Sequence, residues 1–308
     1  MADLHDALRR LGADVRAGAG GAGHLPVLVR RGSLRGGKVD VRGDVSSQFV
    51  SALMLIGPVL PEGLDITVTG ELVSRPYVEM TASVMRSFGA RVTVSDDRIV
   101  VGVGGYVATG YEVEPDFSSA AFPMMALAFT PGSVTVPGLG RAVLQGDSFV
   151  LEVARMMGMS VDASGADVTV RRGPGGLRPV EVDLRDASDL VPAVAVACTA
   201  LPGRSVISGV GFIREKESDR LGDLAAELNA GGSDVQVADD GLVIHGGGNL
   251  ETAHRFATHH DHRLAMAFSL PAAGGHSRTV ADHGVVAKSW PGYFDDMSGV
   301  LGVSGPLN

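Results

Sequence analysis

Cysteine occurs once, at Cys198, so no internal disulfide can form and packing alone must hold the fold. Lysine is almost as scarce: Lys38, Lys216 and Lys288 are the three in the chain, against a majority of arginines. Where composition so favours Arg, a retained Lys points to a tight site needing a compact ammonium. Aromatic residues make up only 5%, and no uninterrupted apolar run approaches the ~18 residues of a membrane span. Positive charge is also short, 26 Lys and Arg facing 35 Asp and Glu for a net charge of −9. A general nucleic-acid binder, which needs a basic stripe to neutralise phosphates, is thereby excluded, and any anionic ligand must be held by local clusters. No charged leader with an apolar core opens the chain, and the expected compartment is a reducing cytoplasm.

What is abundant is repetition. An Asp followed by a small-residue, helix-like run recurs as "GDVSSQFVSALML" at Asp44, "PDFSSAAFPMMAL" at Asp116, "SDLVPAVAVACTA" at Asp189 and "HDHRLAMAFSLPA" at Asp261, a beat of about 72 residues. The runs end in turn signals at Pro61, Pro131 and Pro202, each followed by a β-type stretch such as "LDITVTG" or "SVISG". Then come a loop, a second helix at 3.6 periodicity, a glycine such as Gly89, and two alternating strands. Each unit thus reads strand, helix, strand, helix, strand, strand, and four units tile the chain from about Lys38. The opening "LHDALRRLGADV" matches the back half of a unit, with Gly12 in the place of Gly89. The last unit starts its second helix and stops before its closing strands. A single unit cannot cover both its sheet and its helices, so the units must pack together.

One loop recurs at the same end of every unit: "VSRPY" at Ser74, "VLQGD" at Gln145, "REKESDR" at Lys216 and "AKSWP" at Lys288. Side-by-side packing would bring these loops and the Asp turns to one cleft, with Lys216, Arg220, Arg263 and Lys288 as a cationic cage around Asp189 and Glu217. Cations holding an anion beside two carboxylates form an acid–base arrangement. Plainer readings stand beside it. "DVSSQ" serves equally as a helix N-cap through Ser46 or Ser47, and "KESDRL" as an ordinary helix start. "HHDHR", with His259, His260 and His262, lacks the partners of a tetrahedral metal set, and no metal or cofactor is expected. "GAGGAG" at Gly18 lacks a following Gly-Lys-Ser/Thr and sits where a hairpin turn is expected.

Together "SSQF" at Ser46, "SRPY" at Ser74, "SD" at Asp189, "REKESDR" at Arg214, "DHRLAMAFSL" at Asp261 and "AKSWPGYF" at Ala287 resemble the enolpyruvyl transferase family, in order and spacing, over essentially the whole chain. "KESDR" followed by "DHR" and "AMA" resembles the branch acting on shikimate 3-phosphate, not that acting on UDP-N-acetylglucosamine, whose loop cysteine has no counterpart in Cys198. The resemblance implies a mixed α/β (α+β) fold of two lobes around pseudo-threefold axes with a cleft between them. Residues 1–113 would be an incomplete first lobe, half a unit plus one complete unit, and 114–308 the second lobe of three units.

It also implies an enzyme transferring the carboxyvinyl group of phosphoenolpyruvate to the 5-hydroxyl of shikimate 3-phosphate, without a cofactor, nucleic acid or membrane partner. Asp189 would take the hydroxyl proton and Glu217 would handle the methylene proton. Arg220 and Arg263 would grip the phosphoenolpyruvate carboxylate, and Lys288 and Gln48 its phosphate. Ser46, Ser47, Ser74, Tyr77 and Lys216 would hold shikimate 3-phosphate, while Phe212 and Ile213 stand where some members place a polar contact. The family's N-terminal segment of roughly 110–120 residues, with its own phosphate-handling groups, has no match here. The chain is therefore expected to be truncated, with little activity unless that segment is supplied in cis or in trans. The competing expectation is a non-catalytic remnant that binds an anionic metabolite or pairs with a complementary half-protein.

Overall fold

The structure, a computed structural model, describes residues 1–30, 32–141, 144–248, 254–276 and 278–301. The chain divides into two compact units, Met1–Val113 and Glu114–Asn308, each with its own apolar core.

The first unit opens with helix α1 (Ala2–Arg10) and the antiparallel pair β1 (Asp14–Ala17) and β2 (Val27–Arg30), joined across the glycine-rich loop. A complete repeat follows: β3 (Gly37–Arg42), α2 (Ser47–Ile56), β4 (Leu64–Thr69), α3 (Arg75–Ser87), β5 (Val92–Val94) and β6 (Arg98–Val101). Its sheet order is β3-β4-β6-β5, with β3 and β4 parallel and the other pairs antiparallel. Alternation along β3 and β4 sends Val39, Val41, Leu64, Ile66 and Val68 inward, where they meet Val50, Leu53 and Met54 of α2 and Val78, Ala82 and Met85 of α3.

The second unit starts with α4 (Phe117–Ala126), β7 (Gly132–Val136), α5 (Val150–Met156), β8 (Ser160–Asp162) and β9 (Val168–Arg172), in the sheet order β7-β9-β8. The strand expected ahead of α4 is absent among the described residues. The connecting segment instead gives its Val107 N–H to the carbonyl of Phe88 at the end of α3, and Pro115 has no N–H to offer a ladder. The next repeat is complete: β10 (Glu181–Asp183), α6 (Val191–Cys198), β11 (Gly203–Ser208), α7 (Arg220–Ala230), β12 (Asp234–Ala238) and β13 (Gly241–Gly246). Its order, β10-β11-β13-β12, and its mixture of one parallel and two antiparallel pairs reproduce the first unit's sheet. The chain then forms β14 (Arg255–Phe256), α8 (His262–Ser269), the parallel partner β15 (Thr279–Val280) and α9 (Tyr293–Leu301).

Side-chain chemistry explains the layering. Every residue of α6 is buried, as an all-round apolar helix requires, and α6 packs on both α4 and α8. The first helices of three successive repeats thus form the centre of the second unit, their small residues allowing close approach. Cys198 lies at the end of α6, fully buried, and burial pushes its thiol up to about 12. No helix among the described residues is long and apolar enough to cross a membrane.

Local geometry carries the repeat to the N-terminus. Arg9 Nε donates to the Val15 carbonyl at 2.9 Å, Arg86 Nε to Val92 at 3.0 Å, and Asn229 Nδ2 to Val235 at 2.8 Å, each bond spanning six residues. Helix α1 with β1 and β2 is thus the counterpart of α3 with β5 and β6. Gly12 and Gly89 both sit just past a helix end at positive φ, +100° and +81°, which an L side chain rarely adopts.

Candidate active site

In both complete repeats, the loops leaving the parallel strands run straight into helix N-termini. Ser46, Ser47 and Gln48 follow β3, and Ser74 and Tyr77 follow β4; Asp189 follows β10, and Lys216 and Glu217 follow β11. Asp261 and Arg263 follow β14, and Lys288 follows β15. This carboxyl edge is where open α/β sheets bind ligands, because strand ends diverge there and helix N-termini point unpaired N–H groups outward.

Within the second unit the edge carries one continuous ion-pair array. Arg220, 1% exposed, begins α7 and directs its guanidinium at three carboxylates: Nε to Asp261 Oδ2 at 2.7 Å, Nη1 to Asp189 Oδ1 at 2.8 Å and Nη2 to Glu217 Oε2 at 2.6 Å. The other oxygen of Asp189 accepts from Arg263 Nη2 at 3.0 Å, and the other oxygen of Glu217 accepts from Lys288 Nζ. The array therefore runs Arg263, Asp189, Arg220, Glu217, Lys288. Packing of α6 on α8 brings Asp189, just ahead of one helix, beside Arg263 in the first turn of the other.

These contacts set the charge states. Burial works against ionisation of Asp189, but Arg263 and Arg220 outweigh it and hold the carboxyl far below its usual range. For Glu217 burial is likewise overcome, by the Lys288 hydrogen bond and by Arg220, and its pKa falls to about 2. Burial of Lys216 acts in the opposite sense and lowers its ammonium below the ordinary value despite the attraction of Asp189. Its Nζ lies 5.9 Å from the ring centroid of Phe212, so the apolar residue of that loop forms one wall of the lysine's surroundings.

Arg220, expected to grip a substrate carboxylate, is occupied by the protein's own carboxylates. Three carboxylates around one buried guanidinium leave no terminal nitrogen without an acidic partner. Arg263, whose side chain is 12% exposed, and the half-exposed Lys288 stand at the two ends of the array. Asp219, from the same charged stretch, caps α7 by accepting from the Gly222 N–H at 3.0 Å.

Two further residues belong to this site. Asp261, fully buried, binds Arg220 and also accepts from the Arg263 N–H at 2.8 Å, fixing the start of α8. Beside it His262 is buried, and burial together with Arg263 lowers its pKa below the ordinary imidazole value. The repeat carried the signal for Asp261: its counterpart Asp116 caps α4 and accepts only from Ser118 and Ser119 in the bonds it shows, whereas Asp261 also meets an arginine from another helix.

The first unit holds its own group. Ser46 is the N-cap of α2, its side chain accepting from the Gln48 N–H at 3.2 Å, so the capping reading holds for that serine. Ser47 is buried and Gln48 exposed in the first turn. Ser74 is the buried N-cap of α3 in a left-handed conformation, φ 52°, a strained geometry of the kind concentrated at functional sites. Tyr77 is half-buried in the next turn, and neither α2 nor α3 has an acidic residue in its first turn. Both helix ends can therefore favour an anion.

No group of three or more His, Cys, Asp or Glu among the described residues could hold a metal ion. Within "HHDHR", His259 Nε2 instead meets Glu227 Oε1 at 3.1 Å.

Repeated βαβαββ units, with an ion-pair array at the strand ends of the second unit, fit the fold class of the enolpyruvyl transferases. The comparisons narrow the class. Residues 1–297 match the family model of EPSP synthase (3-phosphoshikimate 1-carboxyvinyltransferase), and the chain belongs to that family. It is 41% identical over 297 residues to the 3-phosphoshikimate 1-carboxyvinyltransferase of Methanothermobacter thermautotrophicus, covering 96% of this chain and 69% of that relative. With the enzyme of the same name from Shewanella baltica it shares 36% over 305 residues, 98% of this chain and 71% of the other. Among solved structures, EPSP synthase from Acinetobacter baumannii superposes with a TM-score of 0.75 at 26% identity, covering 97% of this chain and 70% of that one. The chain thus spans about seven-tenths of the length of these relatives.

Proposed function

We propose that this chain carries the proton-transfer and anion-gripping machinery for moving the enolpyruvyl group of phosphoenolpyruvate onto the 5-hydroxyl of shikimate 3-phosphate, with release of phosphate. The observation that carries the reading is the array Arg263, Asp189, Arg220, Glu217, Lys288, two ionised carboxylates alternating with three cations at one strand edge.

The chemistry requires three events. The enol methylene gains a proton, the hydroxyl oxygen bonds to the resulting cationic carbon while losing its own proton, and the tetrahedral adduct expels phosphate as its methyl group returns a proton. Asp189, held ionised by Arg263 and Arg220, suits the first base, accepting the hydroxyl proton. Glu217 suits the methylene proton, delivered and then recovered. Paired with Lys288 and Arg220, it has a pKa of about 2 and is ionised at neutral pH. A substrate phosphate drawing Lys288 toward itself would remove one of the cations that lower that pKa, so binding itself would prepare Glu217 as an acid. The substrate carboxylate would meet Arg263, and Arg220 could join only by exchanging Glu217 or Asp189 for it. Among the residues of the first unit, Ser46, Ser47, Ser74 and Tyr77 suit the hydroxyls and phosphate of shikimate 3-phosphate and Gln48 suits a phosphate; among those of the second, Lys216 suits an anionic group of a substrate. A segment corresponding to the part of the relatives' length that the chain does not span, in cis or in trans, would add further phosphate contacts.

Phosphate release from phosphoenolpyruvate with shikimate 3-phosphate tests the reading, for the chain alone and with that segment added. Turnover in either form that falls about 10²–10⁴-fold in Glu217→Gln and Asp189→Asn is expected. Turnover indifferent to both substitutions, or no turnover and no calorimetric binding of either substrate in both forms, refutes it.

A further inference from the structure

Residues 254–263 bring Asp261, His262 and Arg263 to the array through an unfavourable turn. His259 and His260 are consecutive non-glycine residues in the left-handed region, φ 51° and 60°, and the Asp261 N–H closes the turn on the Thr258 carbonyl at 2.8 Å. Side chains with a Cβ disfavour that conformation, so two in succession persist only where neighbours over-determine them.

Helix α7 supplies those neighbours from a single residue. Glu227 Oε2 accepts from the Ala257 N–H at 2.9 Å and meets His254 Nε2 at 2.8 Å, while Oε1 meets His259 Nε2 at 3.1 Å. One carboxylate therefore holds the segment before the turn, through His254 and Ala257, and within it, through His259. The grip is largely sheltered, since the Glu227 side chain is 13% exposed. Asp223, one turn earlier on α7, adds a contact to His259 Nδ1 at 3.5 Å. Phe256 anchors the same stretch, stacking on Phe268 of α8 with centroids 4.9 Å apart.

The other end of α7 grips the same segment, because Arg220 holds Asp261. Arg220 and Glu227 stand two turns apart, about 10 Å along the helix axis. The helix thus fixes both ends of the strained turn, and with them the approach of Arg263 to Asp189.

We propose that Glu227 is a positioning residue for the acid–base array: through His254, Ala257 and His259 it holds the left-handed turn that sets Asp261 and Arg263. This rests on the functional reading above only for its consequence in substrate binding. The geometric part stands alone.

The test uses the whole chain with Glu227→Ala and the milder Glu227→Gln, which keeps one acceptor oxygen for the Ala257 N–H. Amide hydrogen exchange is followed at Arg263, whose N–H is capped by Asp261, and at Val243 in β13 as an internal control. The expected result is Arg263 exchange about tenfold faster in Glu227→Ala, an intermediate change in Glu227→Gln, and Val243 unaltered. Wild-type exchange at Arg263 in both variants overturns the proposal, as does equal acceleration at Val243, which would mean general loosening. Calorimetry with phosphoenolpyruvate separates the two readings. Binding by the wild type that weakens about tenfold in Glu227→Ala supports both, and unchanged affinity overturns the positioning role. If the wild type binds none with the relatives' remaining segment present, the proposed function falls and the exchange result still decides the role of Glu227.

Discussion

At the scale of single residues, Arg220 is the hinge of the electrostatics. Removing a buried charge that compensates three carboxylates costs more than its hydrogen bonds are worth, because Asp261, fully buried, is left without its cationic partner. Arg220→Met is expected to destabilise the second unit by about 3–5 kcal/mol in urea unfolding, and Arg220→Lys by less, since an ammonium keeps the charge but cannot fork toward three partners. Glu217 makes a pH prediction with a definite sign. Its folded pKa, about 2, lies below the ordinary value of 4.5, so the stabilisation it contributes is fully present above pH 4.5 and is lost as pH falls toward 2. Asp189, also depressed, adds to the same acid limb. Thermal unfolding from pH 5 to pH 2 should show that limb flattened in Glu217→Gln. The charged stretch around these residues was legible as a site because cations and carboxylates were concentrated in a chain otherwise poor in lysine. Which of them is enclosed by the others was not legible, since Arg220 reads identically whether it is open or enclosed.

At the scale of elements, equivalent positions in the repeats differ in what surrounds them, and that gives a paired test. Gly12 and Gly158 both follow helix ends, at φ +100° and +98°. A Cβ on Gly158 would have the Gly176 carbonyl oxygen at 3.6 Å as its nearest neighbour, an ordinary contact, whereas on Gly12 it would meet the backbone oxygen of Ser33 at 2.6 Å. Gly158→Ala is expected to cost about 1 kcal/mol, the backbone term alone, and Gly12→Ala clearly more. Denaturant unfolding of each unit checks both. The repeat of strand, helix, strand, helix, strand, strand was readable from periodicity, and the two complete units follow it. The strand expected ahead of α4 does not form among the described residues; Pro115, just before Asp116, has no N–H for a ladder, and Val107 earlier in the segment is bonded to the Phe88 carbonyl.

At the scale of the whole molecule, the ion-pair array and its carrying helices all lie in residues 114–308, which have their own core. That stretch expressed alone is expected to unfold cooperatively and to keep the acid limb of Glu217. Circular dichroism from pH 5 to pH 2 checks it, and a non-cooperative transition would contradict it. By itself the sequence determined the repeat, its phase, the aliphatic first helices and the family, because these are encoded in local periodicity and in the order of short motifs. Only the tertiary structure decided that α6 packs on α8 so that Asp189 meets Arg263, that Arg220 is enclosed by three carboxylates, and that Glu227 braces the turn before Asp261. Those outcomes join residues up to 74 positions apart, and their energies come from burial, which exists only once the helices are packed.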